Sequence, residues 1–277
     1  MNGVELAYFE RAGKGPTIFF AHATGFHARC WDRVIERLPG RHAIAVDMRG
    51  HGRSEKVPPP YRWSLFGEDV AALADYLGLR GGIGVGHSKG GAAVTRAAGL
   101  RPGTFAALLL VDPVLMAPEA YRANPEIGEH FAARRRNAWS SPEEMFERFK
   151  DRPPFASWDP EVLRDYCDYG LLPAAEGEGY VLACPPQIEA AIYAGSAGSD
   201  PYDLIPGIDI PVRVLRARQR QRGETFDMSG SPTWPRLAEQ FPQGEDVPVP
   251  QYTHFIPMED PVFIAAQVEE MVGKVGE

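Results

Sequence analysis

The pentapeptide Gly86-His87-Ser88-Lys89-Gly90 constrains what this chain can fold into more than any other feature. It follows a glycine-punctuated apolar run, residues 81–85, that reads as a short buried strand. It precedes Gly91-Ala92-Ala93-Val94-Thr95-Arg96-Ala97-Ala98, a good helix former. A serine between two glycines at a strand-to-helix junction sits on a sharp turn, with its hydroxyl raised above the sheet. Side chains at the glycine positions would collide with the flanking strand and helix. The turn also aims the unpaired N–H groups of the helix N-terminus at any oxyanion forming beside the serine. Ser88 is thus the candidate nucleophile, set against the alternative of an ordinary turn serine.

The surrounding pattern is that of a mostly parallel sheet flanked by helices. Residues 4–10 alternate and run into the Ala12-Gly13-Lys14-Gly15-Pro16 turn, a hairpin signature. Residues 17–21 form a continuous apolar run, as expected of a strand covered on both faces. Cys30, Trp31, Val34, Ile35 and Leu38 fall at helical spacing, 43–46 reads as a strand, and Leu65, Val70, Leu73, Ala74 and Leu77 mark a second helix. The run 105–111 is the most apolar strand candidate. This is the βαβα order of an α/β sheet.

From about 116 to 206 the alternation stops, and the chain becomes aromatic, proline-broken and poor in strand signals. Helices are expected at 133–138, 142–150, 160–169 and 186–194. Strand signals return at 212–217 and 247–250, with helices at 235–241 and 261–275. The expected organisation is a core of residues 1–115 and 207–277 with a helical lid, 116–206, over the catalytic edge. The alternative is that the insertion only packs a satellite core.

With 277 residues, no linker-like stretch and no internal repeat, one core plus an insertion fits better than two domains. A formal net charge of −8 argues against nucleic acid as a partner. Cys30, Cys167 and Cys184 show neither metal-ligand spacing nor a disulfide framework, which suits a reducing compartment. No signal peptide or membrane-length apolar stretch is evident, so the expected setting is cytoplasmic. No Walker loop, dinucleotide fingerprint or histidine pair at ligand spacing is present, and no cofactor or metal is expected.

A serine is a poor nucleophile without a base. Of the seven histidines, His22 and His51 sit in glycine-bearing turns, His87 belongs to the elbow, His27 and His42 flank a helix, and His130 lies in the insertion. His254 remains, in Tyr252-Thr253-His254-Phe255-Ile256-Pro257, after the last strand signal and before the last helix. That is the edge where open parallel sheets place their chemistry, so His254 is the candidate general base.

Five segments in order resemble the α/β-hydrolase fold family, in its serine-nucleophile, esterase-like branch. They are His22-Ala23-Thr24-Gly25-Phe26, Asp47-Met48-Arg49-Gly50-His51-Gly52-Arg53-Ser54, the elbow, Leu110-Val111-Asp112-Pro113 and the His254 loop. The resemblance covers essentially the whole chain. It implies an α/β-hydrolase fold with the lid between the sixth and seventh strands of the family pattern, here 105–111 and 212–217. It assigns the oxyanion N–H groups to Thr24 and Lys89, as backbone roles. Ala23 stands where the family usually has glycine, and 47–54 is a structural turn. The acid departs from the pattern: beyond the seventh strand the chain reads Arg216-Ala217-Arg218-Gln219-Arg220-Gln221-Arg222-Gly223, with no carboxylate. Some family members place the acid after the sixth strand, which here is Asp112. Asp227 comes next and Glu224 third, and an aspartate before proline is also a common turn residue.

A serine at the elbow implies an acyl-enzyme rather than the alkyl ester formed by haloalkane dehalogenases and epoxide hydrolases. The leading expectation is hydrolysis of a carboxylic ester of a small-to-medium apolar or aromatic substrate. Lactonase, thioesterase, carbon–carbon bond hydrolase and perhydrolase share the same triad. A non-catalytic binding protein on this fold is the alternative of another class. Phe26 and Trp31 are the candidate substrate-contacting residues, and Arg134-Arg135-Arg136 is read as a solvated helix face.

Overall fold

The computed structural model describes residues 2–122, 130–196, 199–220 and 228–276. Its main sheet has seven strands: β1 (Tyr8–Arg11), β2 (Lys14–Ala21), β3 (Arg41–Val46), β4 (Gly82–His87), β5 (Phe105–Val111), β9 (Val212–Arg216) and β10 (Gly244–Pro248). They lie in the order β1-β3-β2-β4-β5-β9-β10, with every neighbour parallel except β1, which pairs antiparallel with β3. The helices of this body are α1 (Asp32–Glu36), α2 (Trp63–Tyr76), α3 (Lys89–Leu100), α8 (Ile256–Glu259) and α9 (Pro261–Val275). This is the α/β-hydrolase architecture, a mostly parallel sheet flanked by helices.

Alternation along each strand sends side chains to two separate cores. Phe19, Ala21, Ile44, Val46, Leu108 and Leu110 face α2 and α3, meeting Phe66, Leu73 and Val94. Ile18, Phe20, Ala45, Val85 and Leu109 face α1 and α9, meeting Val34, Ile264 and Val268. Each such buried Leu, Ile or Phe contributes about 1.5–3 kcal/mol. The sheet is therefore held from both sides, and its carboxyl edge is a rigid platform. The ends of α9 follow the sequence signals: Pro261 opens the first turn, and the Asp260 carboxylate caps the amide of Phe263.

Between β5 and β9 lie α4 (Pro118–Arg122), α5 (Pro142–Phe149), α6 (Pro160–Tyr169) and α7 (Pro186–Ala194). A three-stranded antiparallel sheet joins them, with β8 (Tyr180–Leu182) between β6 (Ala138–Trp139) and β7 (Leu171–Pro173). The family's sixth and seventh strands are thus the fifth and ninth of this chain. Trp139, Met145, Trp158, Val162, Leu163 and Tyr166 form a core of their own that also takes in Phe255 and Met258 from the main body. Among the described residues no helix is long and apolar enough to cross a membrane.

Four expectations change. The 4–16 signature is not a paired hairpin, because β3 lies between β1 and β2. The helix expected at 133–138 is a 3-10 turn, Phe131–Arg134, after which Arg135 is extended (φ −62°, ψ 144°) and leads into β6. Pairing with β8 overrides the helical preference there. The helix expected at 235–241 is only the 3-10 turn Ala238–Gln240, since Phe241 precedes a proline and is pushed to an extended conformation (φ −90°, ψ 138°). The insertion, expected to be poor in strands, contains a small three-stranded sheet.

The junction of β4 and α3 is where backbones approach most closely. A Cβ on Gly86 would lie 2.4 Å from the Gly90 carbonyl oxygen, and one on Gly90 would lie 2.2 Å from that of Ala21. Neither neighbour is a flexible side chain, so no rotamer change relieves the overlap. Gly90→Ala is expected to cost about 3 kcal/mol or more of stability. Urea denaturation checks this, and a loss below about 1 kcal/mol would contradict the packing argument.

Candidate active site

All the parallel strands end at one edge, and each candidate residue follows a strand end there. Thr24 comes after β2, Ser88 after β4, Asp112 after β5 and His254 after β10. The strand order reverses beside β4, since β2 leads outward to β3 while β4 leads the other way to β5, β9 and β10. Such a switch point leaves a crevice at the carboxyl edge. Ser88 stands on it with φ 56° and ψ −121°, a strained conformation for a residue with a side chain. The turn is held by Ser88 N–H donating to the Val111 carbonyl (3.1 Å) and by Gly91 and Val114 N–H donating to the Ser88 carbonyl (3.0 and 3.1 Å).

The His254 ring bridges the other two side chains. Its Nε2 lies 3.0 Å from Ser88 Oγ and its Nδ1 lies 2.6 Å from Asp112 Oδ2. A carboxylate only accepts, so Nδ1 carries the proton and Nε2 is free to accept from the hydroxyl. Asp112 is fully buried and its other oxygen, Oδ1, accepts from the Ala217 amide (2.9 Å), Ser231 Oγ (2.5 Å) and Thr233 Oγ1 (3.1 Å), whose one proton is shared with the Pro113 carbonyl at 2.7 Å. Asp112 too has a positive φ, 42°. Asp227 and Glu224, the other two acids considered, lie outside the described residues. Ser231 and Thr233 were not expected; nothing in their local pattern points to Asp112, some 120 positions earlier. His87 was read only as part of the elbow. Its Nε2–H donates to the His254 carbonyl (2.8 Å), and burial next to His254 pushes its pKa down to about 3, so it stays neutral.

The loop at Thr24 is braced by two neutral histidines. His22 Nε2 accepts from the Met48 amide (3.0 Å) and its Nδ1–H donates to the Ala23 carbonyl (2.7 Å). His51 Nε2 accepts from the Gly25 amide (3.1 Å) while its Nδ1–H donates to the Arg49 carbonyl (2.9 Å). Burial, and after it the nearby Lys89, hold both well below the usual histidine range. Asp47 supports the same turn, accepting from the amides of Ala28 (2.7 Å) and Arg53 (2.8 Å), so residues 47–54 are structural as expected. Lys89 opens α3, and its amide is one of the unpaired first-turn donors. Among the described residues, neither the Lys89 nor the Thr24 amide meets a protein acceptor. Thr24 Oγ1 is also buried without a partner.

Two cavities, of about 360 Å³ and 290 Å³, meet at Thr24, Ser88 and His254. The larger is walled by aromatic rings, among them Phe26, Trp139, Phe149, Trp158 and Tyr166. The smaller takes in Trp63, Val114 and Met116. Phe26 is therefore on the wall, but Trp31 is not. It is 1% exposed in the core, its ring 5.1 Å from that of Phe20. Helical spacing identified Trp31 as inward-facing without telling which neighbour it faces. Arg135, expected on a solvated helix face, lines the larger cavity and pairs with Glu189 and the Tyr166 hydroxyl. Burial pushes the Glu189 carboxyl up against the pull of Arg135. Among the described residues, no three His, Cys, Asp or Glu side chains are grouped to hold a metal.

The Alpha/beta hydrolase family model matches residues 18–267. The chain belongs to the alpha/beta hydrolase family. Among its relatives, it is 36% identical over 96 residues to the bifunctional esterase/perhydrolase DCH of Acinetobacter calcoaceticus, covering 34% of this chain and 35% of that protein. The chain thus spans about a third of the length of that relative. With Lipase LipV of Mycobacterium tuberculosis it shares 26% identity over 274 residues, 94% of each chain. In fold, it is similar to the crystal structure of E-2-(acetamidomethylene)succinate hydrolase, with a TM-score of 0.76 over 98% of this chain and 97% of that one, at 22% identity.

The turn at Ser88 carries one costly residue. The Lys89 side chain is buried, and its Nζ lies 3.7 Å from the Phe66 ring centroid and 3.9 Å from Met48 Sδ. Burial holds its pKa well below 10.5. The unfolded chain therefore binds a proton that the native state refuses, and stability rises with pH towards the ordinary lysine range. Lys89→Met is expected to be more stable than the parent near neutral pH, with the difference shrinking as pH approaches 10.5. Urea midpoints across that range check it; an unchanged difference would mean that Lys89 is not what titrates.

Proposed function

We propose that this protein is a serine hydrolase that cleaves a carboxylic ester of a small-to-medium apolar or aromatic substrate through an acyl-enzyme. The observation that carries the reading is the continuous hydrogen-bonded chain Ser88–His254–Asp112 opening on an aromatic cavity. Ser88 Oγ attacks the ester carbonyl while His254 Nε2 takes its proton. Asp112 holds the Nδ1 tautomer and stabilises the imidazolium. The amides of Thr24 and Lys89 donate to the oxyanion, and His254 then returns the proton to the leaving alkoxide. Water, deprotonated by His254, attacks the acyl-enzyme and releases the acid and free Ser88.

The braces give this reading its rigidity. Three donors on Asp112 Oδ1 keep the carboxylate aimed at His254, and His51 keeps the Gly25 amide out of the way of the Thr24 donor. In the same reading the segment between β5 and β9 is the lid expected at 116–206, since α5 and α6 supply Phe149 and Tyr166 to the cavity wall. The binding-protein alternative drew on the missing acid after β9, and the Asp112–His254 contact favours the catalytic reading over it. Perhydrolysis is the second reading, favoured by the name of the Acinetobacter relative. There hydrogen peroxide replaces water, giving a peracid and free Ser88.

Hydrolysis of a p-nitrophenyl ester series by the parent and by Ser88→Ala tests the proposal. The parent is expected to turn over at least one member, and Ser88→Ala to fall to background with its fold intact by circular dichroism. Equal rates for the two proteins across the series would rule the proposal out. Asp112→Asn is expected to lower kcat by about three to four orders of magnitude, because an amide at that place favours the wrong imidazole tautomer. A rate within tenfold of the parent would move the acid elsewhere.

A further inference from the structure

The larger cavity carries a charge that the rest of the molecule does not explain. The chain has a formal net charge of −8, yet among the described residues four arginines, Arg135, Arg136, Arg148 and Arg152, line this one cavity, against a single carboxylate, Glu189. Two of the four are already engaged. Arg135 binds Glu189 and the Tyr166 hydroxyl, and Arg136 pairs with Glu144 at 2.6 Å. Arg148 and Arg152 are different: both are exposed, and among the described residues neither has a carboxylate partner. The acids nearest them in sequence do not supply one. Glu143 pairs with Arg164 and Glu147 with Lys150, and no ion pair is formed by Asp151.

The floor beneath these groups is a built one. A Cβ on Gly25, next to the candidate oxyanion residue Thr24, would meet Glu189 Oε1 at 2.8 Å and Arg135 Nη1 at 3.3 Å. The Arg135–Glu189 pair therefore packs directly on that loop, so the charged end of the cavity and the serine are parts of one space. Phe149, Phe155 and Trp158 line the same cavity and pack ring against ring.

We propose that Arg148 and Arg152 form a carboxylate-binding subsite at the mouth of the larger cavity, selecting substrates with an apolar or aryl body that ends in a carboxylate. This rests on the hydrolase reading for its biological use, but not for its existence. A guanidinium presents paired N–H donors that match a carboxylate, and such a charge-assisted pair is stronger than a neutral hydrogen bond. The positive mouth would also attract an anion from solution despite the acidic surface elsewhere.

Binding of 6-phenylhexanoate against the uncharged 6-phenylhexanamide, followed by the fluorescence of Trp139 and Trp158 on the cavity wall, tests the proposal without any turnover. The acid is expected to bind about tenfold more tightly than the amide, with the advantage shrinking as salt is added. In the double variant Arg148→Gln/Arg152→Gln the advantage is expected to fall to about twofold or less, with amide binding unchanged. Equal binding of acid and amide, or an advantage that survives the double substitution, would overturn the subsite. Loss of the hydrolase reading looks different: no Ser88-dependent ester turnover, with the acid preference still intact.

Discussion

The structure turns on how closely three backbones meet at the start of α3. Gly90 lies so near the end of β2, and Gly86 so near the first turn of α3, that neither position has room for a Cβ. This contact sets the angle at which α3 leaves the sheet and forces Ser88 into its positive-φ turn. It also brings the loop after β2 beside the helix N-terminus. The candidate nucleophile and the two candidate oxyanion amides are thus consequences of one packing constraint. Because two large apolar cores clamp the sheet from both faces, the strain at Ser88 is borne by the whole body rather than by the turn alone.

The second organising element is a buried polar network with Asp112 at its centre. A carboxylate withdrawn from water needs donors on both oxygens, and here it has four: the Ala217 amide, Ser231, Thr233 and His254. Three come from the strand end and loop after β9, where the family more often carries the acid itself. Here that loop braces the candidate acid. His87 and the Ser229 carbonyl fix the backbone of His254 from either side. Every histidine in this network is held in one tautomer by a carbonyl, an amide or a carboxylate, which leaves His254 Nε2 free for the serine.

Much of this was legible from local pattern. The elbow declared itself because glycine–x–serine–x–glycine between a buried strand and a helix has few other physical explanations. His254 stood out because strand ends in a parallel sheet share an edge, and Asp112 because the resemblance places an acid after its strand in some family members. Helices with strong boundary signals, such as Pro261–Val275 and Pro160–Tyr169, fell where prolines and capping aspartates place them. What failed had competing partners. Residues 4–16 carry a hairpin's turn chemistry, but β3 took the place beside β1 that β2 would have filled. Residues 133–138 suit a helix, but Ala138 and Trp139 pair with β8. Trp31 has the spacing of an inward residue, and spacing says nothing about whether inward means core or cavity.

The amino-acid sequence by itself determined the fold class, the serine turn and the placing of His254 at the sheet edge, because each is encoded within about ten neighbouring residues or in the order of the strands. Only the tertiary structure decided which groups brace Asp112, that two cavities converge on Ser88, and that Arg135 belongs to a cavity wall rather than to solvent. Those facts join residues that are between about thirty and more than a hundred positions apart. Their meeting depends on how the segment between β5 and β9 packs against the sheet edge, and no local periodicity carries that information.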